Sequence, residues 1–152
     1  MKSIDQPLCK REILDRLARL RPDSIRHWGK MTASQMTCHL NDSLRGVMDD
    51  KPLSIAQSYY PRKLIKWIAL YLPVPWPHGV PTPPEMDALI GGTPPAEFEM
   101  DREDLRQLLD RFTRQPRPFG FQPHPMFLEM SEWDWMRWAY LHTDHHFRQF
   151  GI

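Results

Sequence analysis

Residues 131–151, SEWDWMRWAYLHTDHHFRQFG, decide how this sequence folds. Ser131 and Asp134 have the spacing of a capping box, in which two side chains satisfy the unpaired amides at a helix start. Gly151 has the residue type that commonly follows the end of a helix. The segment therefore predicts a long helix that ends at about Gln149.

One face of this helix carries both indole and imidazole side chains. His142 and His146 are four residues apart, so their rings lie one above the other, a spacing by which helices present two imidazoles to one metal ion. His145 points about 100° away from His146, so only one of them can face a shared ligand direction. The predicted ligand pair is His142 and His146. The face consists of Trp135, Trp138, His142, His145 or His146, and Gln149.

A third ligand is expected from another helix, because catalytic zinc sites use three protein ligands and leave one position open. Thr32 and Gln35 form a second capping-box pattern, which starts a helix that runs to about Met48. His39 lies on the inner edge of that helix and is the leading candidate. Asp42, three residues later, is predicted to orient the His39 ring.

Other readings of these residues were weighed against a metal site. Histidines four apart occur by chance in many helices, and a tryptophan stripe is more often core packing than a binding site. Trp135 and Trp138 would nevertheless wall an apolar pocket beside the histidines. Cys38 with His39 is disfavoured as a nucleophile and base, since adjacent helical residues diverge. Thr143 stands where the zinc-protease motif has glutamate, which disfavours that class.

The rest of the chain predicts an all-α protein with one domain over residues 1–152. Apolar periodicity indicates further helices over about 8–20, from about 61 to 72, and after Asp101, which is predicted to cap its helix. The segment 72–95 holds half of the chain's 16 prolines, so regular structure is not expected there. The expected fold is a four-helix bundle with a long Pro-rich crossover that carries a short extra helix.

Composition argues against several classes of function. The net charge is +1 and no basic block is present, so nucleic acid is not an expected partner. No apolar run reaches the roughly 18 residues needed to span a bilayer, and the first residues lack the apolar core of a signal peptide. A soluble, cytoplasmic protein is predicted. The two cysteines are expected to be free thiols.

Three segments, 28–45, 124–135 and 140–151, resemble the DinB and YfiT-like superfamily of metalloenzymes, and within it a bacterial branch of uncharacterised proteins. The branch pattern is His-Leu-x-Asp on the second helix and His-x-x-His-His-x-x-Gln near the carboxyl terminus. This sequence matches the two patterns at His39, Leu40, Asp42, His142, His145, His146 and Gln149.

The resemblance implies a helical bundle with a divalent metal, usually zinc or nickel, bound by His39, His142 and His146. Relatives in that superfamily include thiol-dependent transferases, an isomerase and candidate hydrolases. The sequence departs from the pattern at Leu128 in HPMFLEM, where family members often have glycine.

We expect a metal-dependent hydrolase or thiol-dependent transferase that acts on a small molecule. The alternatives are a non-catalytic metal- or ligand-binding bundle, and a plain bundle with incidental histidines. A homodimer is also expected to be possible if Trp67 or Trp76 is exposed.

Overall fold

A computed structural model describes residues 1–56, 58 and 60–152. Within those residues the chain forms five α-helices and no β-strand. The predicted all-α class is therefore confirmed. The helices are α1 (Pro7–Arg19), α2 (Ala33–Val47), α3 (Arg62–Tyr71), α4 (Phe98–Phe112) and α5 (Glu132–Gln149).

The helices pack as a bundle around one core. Helix α2 lies chiefly against α4 and α1 against α5, while α3 packs on the outside of α5. The segment between α2 and α4 is the predicted crossover, and the regular structure among its described residues consists of α3 and the 3₁₀ turn Pro84–Met86. None of the described helices combines the length and the apolar character needed to cross a bilayer.

Apolar stripes on the helices supply the core, as their periodicity predicts. Burying one such large side chain contributes about 1.5–3 kcal/mol relative to leaving it in water, so tertiary packing holds helices that are too short to be stable alone. Fully buried side chains from the four long helices include Ile13, Met36, Leu40, Leu105, Leu109, Phe112, Trp135 and Phe147.

Both helices with predicted metal ligands begin at a complete capping box. The Thr32 hydroxyl accepts from the Gln35 amide at 3.2 Å, and the Gln35 side chain accepts from the Thr32 amide at 2.9 Å. Ser131 and Asp134 make the same exchange at 3.2 and 3.0 Å. Each start is thus fixed by two side chains, as the sequence predicted.

The predicted start of α4 was wrong. The helix begins at Phe98, and Asp101 lies within its first turn rather than at its cap. The Asp101 carboxylate instead reaches back to accept from the Ala96 amide at 3.2 Å. A negative charge is favourable in the first turn because the helix dipole is positive there.

Asp134 also attaches the crossover to α5. Its carboxylate accepts from the Tyr71 hydroxyl at 2.7 Å and pairs with Lys66 at 3.2 Å, both on α3. Burial raises the pKa of Asp134, but the hydrogen bonds from Tyr71, Ser131 and Lys66 outweigh it and lower the pKa overall. The charged form therefore stabilises both the helix start and the α3 contact.

We expect Asp134→Ala to lower the free energy of unfolding by about 1–3 kcal/mol at pH 7, because a cap and two further hydrogen bonds are lost. The folded pKa is depressed, so the wild-type advantage holds above the unfolded value of about 3.9 and declines as the pH falls through the folded value. Urea denaturation at pH 7 and at pH 3 measures both effects. Asp23→Ala, at an exposed carboxylate, is the control. An equal loss in the two variants at pH 7 would contradict the role of Asp134.

Candidate metal site

Helices α2 and α5 bring together His39, His142 and His146. Their candidate ligand atoms all lie within 4.8 Å of one another. The Nε2 atoms of His39 and His142 are 3.2 Å apart, and the ring centroids are separated by 4.8–5.2 Å. The prediction that these three side chains meet is confirmed.

A backbone carbonyl fixes the orientation of His39. Its Nδ1 lies 3.1 Å from the carbonyl oxygen of Met86, in the 3₁₀ turn of the crossover. A carbonyl only accepts, so Nδ1 carries the proton and donates it, which leaves the Nε2 lone pair directed at the other two rings. The crossover thereby sets the tautomer of a residue on α2.

The contact predicted between Asp42 and His39 was wrong. Asp42 is buried, but its carboxylate accepts from the Thr93 amide and hydroxyl at 2.6 and 2.7 Å and pairs with Lys51 at 2.7 Å. These groups satisfy the buried charge, and the Met86 carbonyl takes the place beside His39. Asp42 therefore ties the end of the crossover to α2.

Gln149 orients His146 in the way that Met86 orients His39. The Gln149 side-chain amide donates to the Trp28 carbonyl at 2.8 Å, which turns its oxygen toward His146 Nδ1 at 3.0 Å. His146 Nδ1 must then be the donor, so its Nε2 is free to bind. Gly29 permits this arrangement, because a Cβ atom there would lie 2.3 Å from the Gln149 side-chain nitrogen.

The electrostatics of the site favour neutral imidazoles. Burial lowers the pKa of His39, and it lowers the pKa values of His142 and His146 well below their usual range. The neighbouring imidazoles add to the effect on His142 and His146. Neutral imidazole is the form that coordinates a metal ion.

The triad lies at one side of a cavity of about 740 Å³. Prolines and apolar residues of the crossover line much of the cavity, and Trp138 on α5 lines it as predicted. Trp135 does not: it is buried in the core and stacks on Phe121 with centroids 4.8 Å apart. Such a concave, largely apolar space with few polar groups is typical of small-molecule sites.

The aromatic residues around the cavity include two that the sequence did not place there. Trp76, considered as an exposed dimer contact, instead lines the cavity, and its indole N–H donates to the Ala69 carbonyl at 2.8 Å. Trp28 stacks on His78 with centroids 4.2 Å apart and also approaches His145. His145 lines the cavity beside the triad, away from the shared ligand direction. The only sequence signal for Trp28 was its place at the start of the segment 28–45, on which the family resemblance rests.

The cysteine beside His39 has no catalytic character. Cys38 is buried as a free thiol, and burial, together with the nearby Asp101 carboxylate, raises its pKa to about 12. A protonated thiol is a poor nucleophile.

One residue of the loop before α5 has a strained backbone conformation. Leu128 has a φ of 58°, and its backbone exchanges two 2.9 Å hydrogen bonds with His124. This left-handed conformation costs a residue with a Cβ about 1–2 kcal/mol and costs glycine almost nothing. A glycine at this position would therefore remove the strain.

Taken together, fold and site define an all-helical protein with a candidate three-histidine metal centre at the edge of an apolar cavity. The chain belongs to the family described as protein of unknown function (DUF1569), whose sequence model matches residues 9–151. Comparisons with curated proteins and with solved structures gave no significant match. The wider relationship to the DinB-like superfamily stays a prediction.

We expect Gln149→Ala to weaken metal binding about 10- to 100-fold, because removal of a group that orients a ligand typically has that effect. The Kd of the purified, tag-free protein for zinc, measured by competition with a chelator, tests this. Gln107→Ala, at an exposed position on α4, is the matched control. An unchanged Kd in the Gln149 variant would show that the ring needs no such partner.

At Leu128 we expect the usual order of alanine and glycine to be reversed. Both substitutions remove the same apolar side chain, but only glycine also removes the strain, so Leu128→Gly should be more stable than Leu128→Ala by about 1 kcal/mol. Urea denaturation of the two variants gives the difference. A more stable alanine variant would contradict the strained loop.

Proposed function

We propose that this protein is a metal-dependent enzyme that holds zinc or nickel through His39, His142 and His146. Its substrate would be a small, largely apolar molecule bound in the adjacent cavity. The observation that carries the proposal is the convergence of three imidazoles beside that cavity, one buried and two partly buried, whose lowered pKa values favour the neutral form.

One pair of nitrogens fits a divalent ion in distance, and all three residues fit it in chemistry. A tetrahedral ion with bonds of about 2.05 Å holds neighbouring nitrogens about 3.3 Å apart, and the His39 and His142 Nε2 atoms are separated by 3.2 Å. Imidazole suits zinc and nickel among other transition metals. The hydrogen bonds to Met86 and Gln149 leave the coordinating nitrogens of His39 and His146 unprotonated.

When bound, the ion would supply a Lewis acid that lowers the pKa of a water molecule or of a substrate thiol. The side chains around the site would orient the substrate and exclude water from it. Trp76 and Trp138 flank His142, with centroids 6.1 and 5.1 Å away, and present apolar surface to a substrate. Such a site suits hydrolysis or thiol-dependent transfer.

One observation favours a non-catalytic alternative. Among the described residues that line the cavity, Asp87 is the single carboxylate, and it already accepts from the Leu89 amide at 2.9 Å. A protein that binds and sequesters an apolar ligand needs no general base. Activity that depends on metal separates the two functions.

The location and partners in this proposal follow the sequence expectations. We propose a cytoplasmic protein with a small-molecule substrate, without a nucleic-acid or membrane partner. Trp67 on α3 is about half exposed and is the remaining candidate for a homodimer contact.

Metal content is the direct test. We expect protein purified without a polyhistidine tag to contain about one equivalent of divalent metal, and His39→Ala to lose most of it, since a third imidazole is needed to complete the site. Elemental analysis of both proteins measures this. His27→Ala removes an exposed histidine outside the triad and serves as the control.

Activity is then assayed on the metal-loaded protein and on the chelator-treated protein side by side. Ester and amide hydrolysis and thiol transfer to apolar electrophiles are the reactions to compare. Turnover that disappears with the metal supports the enzyme, and metal retention without turnover supports the binding alternative. A full metal complement in His39→Ala would overturn the proposed ligand set.

A further inference from the structure

A second kind of histidine faces the cavity. His124 opens the motif HPMFLEM in the loop before α5 and has no part in the proposed metal chemistry. Its side chain is 9 % exposed, yet it lines the cavity that holds the triad. A buried polar side chain in an apolar wall normally has hydrogen-bond partners for its polar atoms.

One edge of the His124 ring is occupied by its own loop. Nδ1 accepts from the backbone amides of Met126 and Phe127, each at 3.1 Å. A nitrogen that accepts two N–H groups carries no proton, so the neutral ring has its proton on Nε2. Burial lowers the pKa of His124 to about 3, which keeps the ring neutral. His124 is therefore an N–H donor of fixed tautomer.

The other edge of the ring, at Nε2, has no acceptor among the residues that the structure describes. The ring lines the cavity, and Nε2–H is on the edge of the ring that the loop amides do not occupy.

The loop holds this donor in a fixed direction. His124 and Leu128 close the loop through two backbone hydrogen bonds, and Arg62 donates to the carbonyls of Pro125 and Met126 at 3.1 and 3.0 Å. Phe127 stacks on the His124 ring with centroids 4.4 Å apart. Strain such as that at Leu128 persists where surrounding contacts enforce it, commonly at functional sites.

Trp138 separates the donor from the metal site. Its ring lies 5.3 Å from His124 and 5.1 Å from His142, centroid to centroid. The N–H donor and the histidine triad therefore lie next to the same indole. A ligand that used both would have an apolar body against Trp138.

We propose that His124 binds a substrate oxygen through Nε2–H, so that the substrate is an apolar molecule with a carbonyl-type acceptor placed away from its metal-directed group. The role as substrate contact rests on the proposed function. The donor itself does not, because it is built by the loop and not by the triad.

Two substitutions separate the loop role from the cavity role. In His124→Asn the side-chain oxygen takes the place of Nδ1, which keeps an acceptor for the loop amides and leaves no donor at the place of Nε2. In His124→Gln the amide nitrogen reaches the place of Nε2, which keeps the donor and removes the loop acceptor. A purely structural histidine would be replaced better by asparagine in every measurement.

The probes are acetophenone and 2-phenylpropene, which have the same shape but differ by the carbonyl oxygen. Their Kd values are measured by NMR titration of zinc-loaded and metal-free protein. We expect the selectivity for acetophenone, as the ratio of the two Kd values, to fall about three- to tenfold in His124→Asn, as for loss of a neutral hydrogen bond. It should stay near the wild-type ratio in His124→Gln. Unchanged selectivity in His124→Asn would overturn the proposal.

The wild-type protein gives a second measurement that does not require a folded variant. Acetophenone should shift the Nε2 resonance of His124 in imidazole-detected NMR, and 2-phenylpropene should not. No shift up to the solubility limit of acetophenone would overturn the proposal. Metal content, measured in parallel, reports on the proposed function alone, so failure of one is distinguishable from failure of the other.

Discussion

Two hydrogen bonds, from His39 to the Met86 carbonyl and from His146 to Gln149, are the interactions on which the site depends. A buried imidazole has one N–H that must be satisfied, and satisfying it at Nδ1 leaves the lone pair at Nε2. Met86, the partner of His39, belongs to the crossover. Gln149, the partner of His146, lies on the same helix as His146, but the Trp28 carbonyl before α2 holds it in place. The triad is therefore assembled by its surroundings as much as by its helices.

This dependence gives the Pro-rich crossover a function beyond connection. It supplies the Met86 carbonyl and it lines the cavity beside the triad. Thr93, at its far end, donates two hydrogen bonds to Asp42 of α2. Prolines restrict the unfolded chain, so a long segment without regular structure can be ordered at a lower entropic cost. Asp134 anchors the same segment to α5 through Tyr71. The arrangement of the site therefore depends on the contacts that hold the crossover against the bundle.

The histidines of the cavity fall into two chemical types although burial keeps both neutral. In His39 and His146 the proton is held at Nδ1, and the Nε2 lone pair is presented to the centre. In His124 the loop amides occupy Nδ1, so Nε2 carries the proton and can donate. Hydrogen bonds at Nδ1 therefore make His39 and His146 electron-pair donors and make His124 a hydrogen-bond donor. Trp138 lies next to both groups of histidines. That pairing suits a ligand with an acceptor oxygen and a group directed at a metal.

The sequence by itself determined the helices, the two capping boxes and the histidine pair on α5, because capping and the spacing of His142 and His146 are local properties of a helix. It also selected His39, since a helix edge can be read from periodicity. Only the tertiary structure decided that Met86 rather than Asp42 orients His39, and that Trp138 rather than Trp135 faces the cavity. Every residue has a backbone carbonyl, so the sequence does not show which carbonyl will accept from His39. Trp135 and Trp138 lie on one stripe of α5, and periodicity does not distinguish a core position from a cavity position within it. Partners that come from distant segments are fixed by packing, which a local pattern does not encode.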